Sequence, residues 1–372
     1  MGEVPPWAYA AVFLATLAMS LVLTPLALRV AVRHRVLDEP GAIKGQAVAV
    51  PYLGGVAIVV SFAVAVMAAA TIERPTSGLD ELALILGLGV GLAVMGLVDD
   101  LRGLGPWLRL VLEIGAGFTI WATSNGTQFF GVAPLDLALT VIWVVGVTNA
   151  FNLLDNMDGL SAGVATVAAG SFFIIASVNG QFLVATLACA LAGCSAGFLR
   201  SNFHPARIYM GDAGSLFLGF MLAVIGLKLR FDGPTQVTFA VPILVLGVAL
   251  FDTTLVTVNR LLHRRSPLSG GRDHTSHRMV MVGIPVPATV TLLYMGGVSL
   301  GWLAIIMSRV DRGTAFILMG WVAAVAALLG VLLSRVPVYE TSQRRLLMIR
   351  EVADHEPERP LVVGTEPEEA AG

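Results

Sequence analysis

Polar residues in this chain fall in short clusters between long apolar runs. Eleven runs approach the roughly 20 mostly apolar residues that a membrane-spanning helix requires. They cover about 7–29, 51–71, 82–98, 108–123, 135–150, 160–178, 181–199, 213–229, 237–261, 286–308 and 313–334. The fourth and fifth are short, so tilted, broken or partly re-entrant segments are expected there. No soluble domain fits between the runs. The pattern predicts an all-α integral membrane protein, a bundle of about 11 transmembrane helices. Residues 1–334 form one polytopic domain and 335–372 a disordered polar tail.

Composition agrees. The chain is 56% hydrophobic and 13% charged, with a mean hydropathy of +0.82. The net charge of -2 says little, because orientation depends on where Lys and Arg sit. Of 23 Lys and Arg, 18 follow odd-numbered runs or lie in the tail, and 5 follow even-numbered runs. The odd-numbered loops are therefore expected to be cytoplasmic, with the N-terminus outside and the C-terminus inside. Glu3 precedes the first run and Arg29, Arg33 and Arg35 follow it. A secretory signal has the reverse order, so a retained helix is expected. Cys189 and Cys194 share one apolar run and read as packing residues, not as a disulfide or metal pair.

The polar clusters also segregate. Lys44 follows run 1, Asp99 and Asp100 follow run 3, and "NAFNLLDNMDG" (149–159) follows run 5. "RSNFHPARIYMGDAGS" (200–215) follows run 7 and "HRRSPLSGGRDHTSHRM" (263–279) follows run 9. All five therefore face one side, the expected cytoplasmic side. Asp99, Asp100, Asp155, Asp158 and Asp212 offer hard oxygen ligands with no thiolate nearby, which suits Mg2+, or Mn2+, over zinc. Lys44, Arg265, Arg272, His274 and His277 supply cationic or polar partners for anions. Acids that hold a metal beside bases that hold anions suit phosphoryl transfer. Asp212 is expected to open helix 8, where the positive end of the helix dipole favours an anion.

Each cluster has a plainer reading alone. An Asp-Asp pair can be a solvated helix end, "NLLDNMDG" an Asx-rich turn, "DHTSH" a surface loop, and Tyr209 an interfacial aromatic. Glu113 and Asp252 lie inside apolar runs and are expected to face the bundle or a wet cavity. The shared face of the clusters argues for one site.

These motifs together resemble the polyprenyl-phosphate N-acetylhexosamine-1-phosphate transferases. The likeness extends from "PYLGG" at Pro51 through "DD" (99–100), "NAFNLLDNMDGL" (149–160), "SNFHPARIYMGDAGSLFLGF" (201–220) and "LFDTT" (250–254) to the basic loop. It implies transfer of a sugar 1-phosphate from a UDP-sugar to a membrane polyprenyl phosphate, with release of UMP, in cell-envelope glycan synthesis. By the resemblance, Asp212 and Asn152 match magnesium ligands. Asp99 and Asp100 match the paired acids that orient or deprotonate the lipid phosphate. Tyr209 matches the aromatic under the uracil, Asp158 and Asn202 match nucleoside-pocket positions, and Asp155 lies beside the metal and ribose region. Lys44 matches a phosphate contact. Arg272, His274 and His277 match the loop that grips the diphosphate and selects the sugar. A homodimer is suggested only by the family, and no nucleic acid partner is expected.

Related wall-polymer enzymes often read His-x-His-His in this loop, whereas this chain reads "HTSH", with Ser276 at the middle position. Without three adjacent histidines, GlcNAc is expected over UDP-MurNAc-pentapeptide or another UDP-N-acetylhexosamine. A secondary transporter is the alternative of a different class, and a catalytically dead UDP-sugar sensor a third. Transport would need acids spread across the membrane depth, and here nearly all lie on one side.

Overall fold

The computed structural model describes residues 5–38, 49–72, 79–231, 235–267 and 270–339. Among them nine helices are long and apolar enough to cross a membrane. These are α1 (Pro6–Arg33), α2 (Gly54–Ile72), α3 (Leu79–Arg102), α5 (Ala133–Leu154), α6 (Leu160–Val178), α7 (Phe182–Asn202), α8 (Gly211–Lys228), α12 (Val286–Met307) and α13 (Arg312–Ser334). The other helices are α4 (Pro106–Ile120), α9 (Thr235–Val245), α10 (Gly247–Leu262) and the short α11 (Thr275–Met281). The only strands among the described residues, β1 (Leu37–Asp38) and β2 (Val50–Pro51), form a two-residue antiparallel ladder. The protein is thus a multi-pass, all-helical membrane protein.

Two of the eleven expected spans take another form. The run at 237–261 is not one straight helix: its two halves meet at a 79° bend between Val245 and Gly247. Pro242 lies inside α9 and removes a backbone donor, a common cause of a broken helix. The run at 108–123 is α4 continued by a π-helical turn at Trp121–Asn125.

Helix α8 is the centre of the bundle. Every residue from Ala213 to Leu227 is buried, as expected of a helix that is apolar all round and ringed by others. Helices α2, α3, α5, α6 and α7 surround it. Close backbone approach is possible because glycines stand at the crossings. A Cβ on Gly55 would lie 2.3 Å from the Gly214 nitrogen, one on Gly96 2.5 Å from the Asp212 carbonyl carbon, and one on Gly219 2.7 Å from the Thr148 Cα. These contacts fix α8 against α2, α3 and α5. By contrast, the apolar window of α13 has no buried residue, and its Trp321, Val325, Leu328 and Leu332 are exposed. Such a surface suits lipid, where the helical backbone satisfies its own polar groups.

The segment expected to be a disordered tail begins with packed residues. Val338 is buried, and the Tyr339 hydroxyl donates to Asp273 Oδ2 at 2.9 Å. Residues 340–372 lie outside the described residues, and with them the rest of that expectation.

Candidate active site

The start of α8 gathers polar groups from three other helices. Arg109, near the start of α4, donates through Nη1 to Asp99 Oδ2 at 2.8 Å and to Asp212 Oδ2 at 2.7 Å. Its Nη2 donates to Asn152 Oδ1 at 2.8 Å. Asn152 Nδ2 in turn donates to Asp212 Oδ1 at 2.7 Å and to Ser215 Oγ at 3.0 Å. One guanidinium therefore joins the ends of α3, α5 and α8.

Asp100 fills a different position. Its carboxylate accepts the backbone N–H groups of Asp212 at 3.1 Å and Ala213 at 3.4 Å. It caps the otherwise unsatisfied first turn of α8 and sits at the positive end of the helix dipole. The position expected to favour an anion thus already carries this side chain. The fit requires Gly211: its φ is +67°, and a Cβ there would lie 2.4 Å from Asp100 Oδ2.

A cleft of about 900 Å³ opens beside this cluster. Nine of the sequence-predicted site residues line it: Asp100, Asn152, Asp155, Asp158, Asn202, Tyr209, Asp212, Arg272 and His277. Two of the remaining three do not. Asp99 lies behind the cleft on Arg109. His274 is buried, its Nδ1 2.8 Å from Asp252 Oδ2. Lys44 lies outside the described residues. Arg265, counted among the cations, instead covers the Tyr339 ring at 4.5 Å.

The walls are tied by hydrogen bonds. Asp158 Oδ2 accepts the Ala206 N–H at 3.0 Å and lies 2.8 Å from His204 Nδ1. Asn202 accepts the Gly159 N–H at 3.1 Å and donates to the Ile208 carbonyl at 3.0 Å. The Tyr209 segment is held by its N–H on the Pro51 carbonyl at 2.8 Å. Burial, then the charges of Asp158, Asp38 and Asp155, push the Tyr209 phenol up to about 12. It is a neutral ring at working pH. Asp155 is pushed up to about 8 by burial and by the negative charges of Asp212, Asp100 and Asp158.

The basic loop is braced from behind. Arg260 forms a two-point pair with Asp273, Nε to Oδ2 at 2.9 Å and Nη2 to Oδ1 at 2.7 Å. Its Nη1 donates to the Pro267 carbonyl at 2.8 Å. Arg278 donates to the Asp273 carbonyl at 2.8 Å and the Leu333 carbonyl at 2.7 Å. Asp252 accepts the Thr275 N–H at 2.6 Å. The two intramembrane acids are accounted for in this way: Asp252 holds the histidine loop, and Glu113 pairs with the Asn149 amide.

Arg109 and Asn156 are residues at the candidate site that sequence reading passed over, and Ser276, noted there only as a departure from the histidine pattern, bonds to Asn156. Arg109 had a signal: a lone cation inside an apolar run, ten residues after Asp99.

Among the described residues, no three His, Cys, Asp or Glu side chains are grouped to hold a metal ion. The donor set nonetheless fits Mg2+. This ion uses one or two protein oxygens and completes its shell with water and substrate phosphate. Asp212 and Asn152 already converge on one cation, the Arg109 guanidinium.

The chain is similar to known proteins. The model of glycosyl transferase family 4 matches residues 82–230. A Bacillus subtilis protein named "Probable undecaprenyl-phosphate N-acetylglucosaminyl 1-phosphate transferase" is 29% identical over 351 residues, spanning 90% of this chain and 96% of its own length. The decaprenyl-phosphate N-acetylglucosaminephosphotransferase of Mycolicibacterium smegmatis is 30% identical over 319 residues, 76% of this chain and 78% of that protein. The phospho-N-acetylmuramoyl-pentapeptide-transferase of Shouchella clausii is 30% identical over 266 residues, 66% of this chain and 79% of that protein.

Proposed function

Because the chain belongs to the polyprenyl-phosphate N-acetylhexosamine-1-phosphate transferases of glycosyl transferase family 4, we propose that it moves GlcNAc-1-phosphate from UDP-GlcNAc to undecaprenyl or decaprenyl phosphate, with release of UMP. The observation that carries this reading is the convergence of Asp100, Asn152, Asp155, Asp158, Tyr209, Asp212, Arg272 and His277 on one cleft. The Lys and Arg distribution supports a cleft that faces the cytoplasm.

The chemistry asks for positioning more than for a strong base. A phosphate monoester has a second pKa of about 6 and is mostly dianionic at neutral pH. One of its oxygens bonds to the sugar-bearing phosphorus. The bond from that phosphorus to the bridging oxygen breaks, and the electron pair leaves with UMP. Catalysis is then largely electrostatic stabilisation of an in-line displacement. Asp212 and Asn152 would hold Mg2+, which when bound neutralises charge on the diphosphate. Arg109, the cation now among these oxygens, is free to turn to substrate phosphate when that charge is supplied.

Other roles follow the resemblance. Tyr209 stacks on the uracil, and Asp158 with Asn202 shapes the nucleoside pocket. Asp155 borders the ribose, while Lys44 and Arg272 meet phosphate. Asp100, which borders the cleft, is the better placed of the paired acids to orient the lipid phosphate. Asp99 acts through Arg109. His277 meets the donor, and His274, fastened to Asp252, holds its loop. The decisive experiment is UMP release by purified protein with polyprenyl phosphate across a panel of UDP-sugars, with EDTA and Mg2+ add-back. Asp212→Asn, still folded, should lose about a hundred- to a thousandfold in rate, the usual range for removing one electrostatic partner. Full activity in that variant, or turnover undiminished by EDTA, would remove the metal from this cluster.

A further inference from the structure

The acidic motif touches both walls of the cleft. Asp158 is fastened to one wall through His204 and the Ala206 N–H. Asn156, two residues earlier, is fastened to the other: Ser276 Oγ lies 2.6 Å from Asn156 Oδ1. The orientation of this amide is determined. Asn156 Nδ2 lies 2.7 Å from the Leu153 carbonyl, which can only accept, so the nitrogen faces Leu153 and the oxygen faces Ser276. The serine hydroxyl must therefore be the donor. Ser276 itself is 1% exposed, so it does not meet a ligand freely. Asn156 does line the cleft, and these two bonds leave it one amide N–H and one carbonyl lone pair.

We infer that Ser276 and Asn156 form a latch that reads the sugar of the donor, with Asn156 as the contact and Ser276 as its positioning residue. The inference rests on the transferase reading and names the part of the donor recognised. Neighbouring chemistry separates the donor's parts. A flat phenol and an acid suit a base, Arg272 and the magnesium ligands suit phosphates, and a neutral amide suits hydroxyl and acetamido groups. His277, next to Ser276, also lines the cleft, and its buried Nδ1 has no protein partner. Ser276 is also where this chain departs from the histidine-rich loop of the enzymes it resembles.

The test compares the full-length protein's affinity for UDP-GlcNAc with that for UDP, by calorimetry in detergent with Mg2+. Ser276→Ala and Asn156→Ala should each weaken UDP-GlcNAc binding about tenfold, the scale of one lost hydrogen bond in a preorganised site. UDP affinity should stay within about twofold of wild type. Ser276→Thr keeps the hydroxyl and should restore sugar binding. Equal weakening for both ligands would show a merely structural role and overturn the latch, as would no weakening for either. Asn156→Ala changes a cleft residue and keeps the test decisive if the buried Ser276→Ala fails to fold. A wild type that binds both ligands yet releases no UMP would sink the transferase reading, while the affinity ratios would still judge the latch.

Discussion

Two arginines in this molecule hold carboxylates in different ways. Arg260 is 1% exposed and grips Asp273 with two parallel bonds, its third on the Pro267 carbonyl. Arg109 is partly open and divides itself among Asp99, Asp212 and Asn152 on three helices. The first is a closed pair whose geometry leaves no role for another cation. The second holds oxygen ligands that a divalent ion could also take. Bidentate, buried pairs specify one arrangement; a shared cation at a cleft can be exchanged. The difference separates the rigid brace of the basic loop from the part of the site expected to change during turnover.

The largest effect should come from breaking the brace. Arg260→Met leaves Asp273 buried with the Tyr339 hydroxyl as its remaining side-chain hydrogen bond, beside Arg278 and His274. Losing one partner of a buried pair costs about 3–5 kcal/mol. Thermal unfolding in detergent should show this loss, with donor binding failing as the loop detaches. A variant with unchanged melting and unchanged donor KM would make the pair incidental. Arg109→Met should act in the opposite sense on metal affinity. Removing the competing guanidinium leaves Asp99 and Asp212 uncompensated, and a unit charge at about 4 Å is worth about 1–4 kcal/mol between aqueous and surface-like dielectrics. Mn2+ binding followed by electron paramagnetic resonance should tighten at least fivefold while transfer falls. Weaker Mn2+ binding would mean that Arg109 helps build the metal site and does not compete for it.

The contrast also explains what the sequence could reveal. Clusters such as "NLLDNMDG" and "YMGDAGS" stand out because oxygen-bearing residues are expensive in an apolar chain. Their positions after alternate runs were enough to bring nine predicted residues to one cleft. Arg109 was not recognised because a lone cation near a helix end first reads as an orientation signal. The bend between α9 and α10 was hidden because hydropathy continues across it; only Pro242 and Gly247 marked a possible break. His274 and His277 look equivalent in "HTSH". They differ because Asp252, 22 residues earlier, reaches one and not the other. That distinction depends on how α10 lies under α11, which no local pattern encodes. The packing of Val338 and Tyr339 against the loop was likewise invisible in a stretch that reads as polar tail.

A smaller effect should come from the open wall of the cleft. Tyr209→Ala removes the ring proposed to lie under the uracil. Base–aromatic stacking is worth about 1–3 kcal/mol, so the donor KM should rise between about fivefold and a hundredfold with little change in kcat. An unchanged KM would take Tyr209 out of the nucleoside pocket. Tyr209 is half-buried and lies outside the Arg260–Asp273 brace, so its variant should lower the melting temperature less than Arg260→Met does. That outcome distinguishes an exchangeable ligand surface from the brace.

The mildest test uses pH, and it asks whether His277 belongs to the cleft as a neutral group. Burial, then the positive charges of His274 and Arg272, lowers its pKa from the ordinary 6.5 to about 4, against the opposing pull of Asp252 and Asp273. The folded protein therefore keeps His277 neutral where the unfolded chain has begun to protonate it. Stability linked to this group is complete above about 6.5 and declines as pH falls from about 6.5 toward 4, because the unfolded state binds the extra proton first. Melting temperature against pH should fall more steeply across that window in wild type than in His277→Gln, whose side chain does not titrate. Above pH 6.5 the two slopes should coincide. Equal slopes below 6.5, or a histidine resonance for His277 that titrates near 6.5, would mean that the cleft does not depress this imidazole. The sugar-facing wall would then gain positive charge in mild acid, and the division between neutral and cationic recognition within the cleft would have to be redrawn.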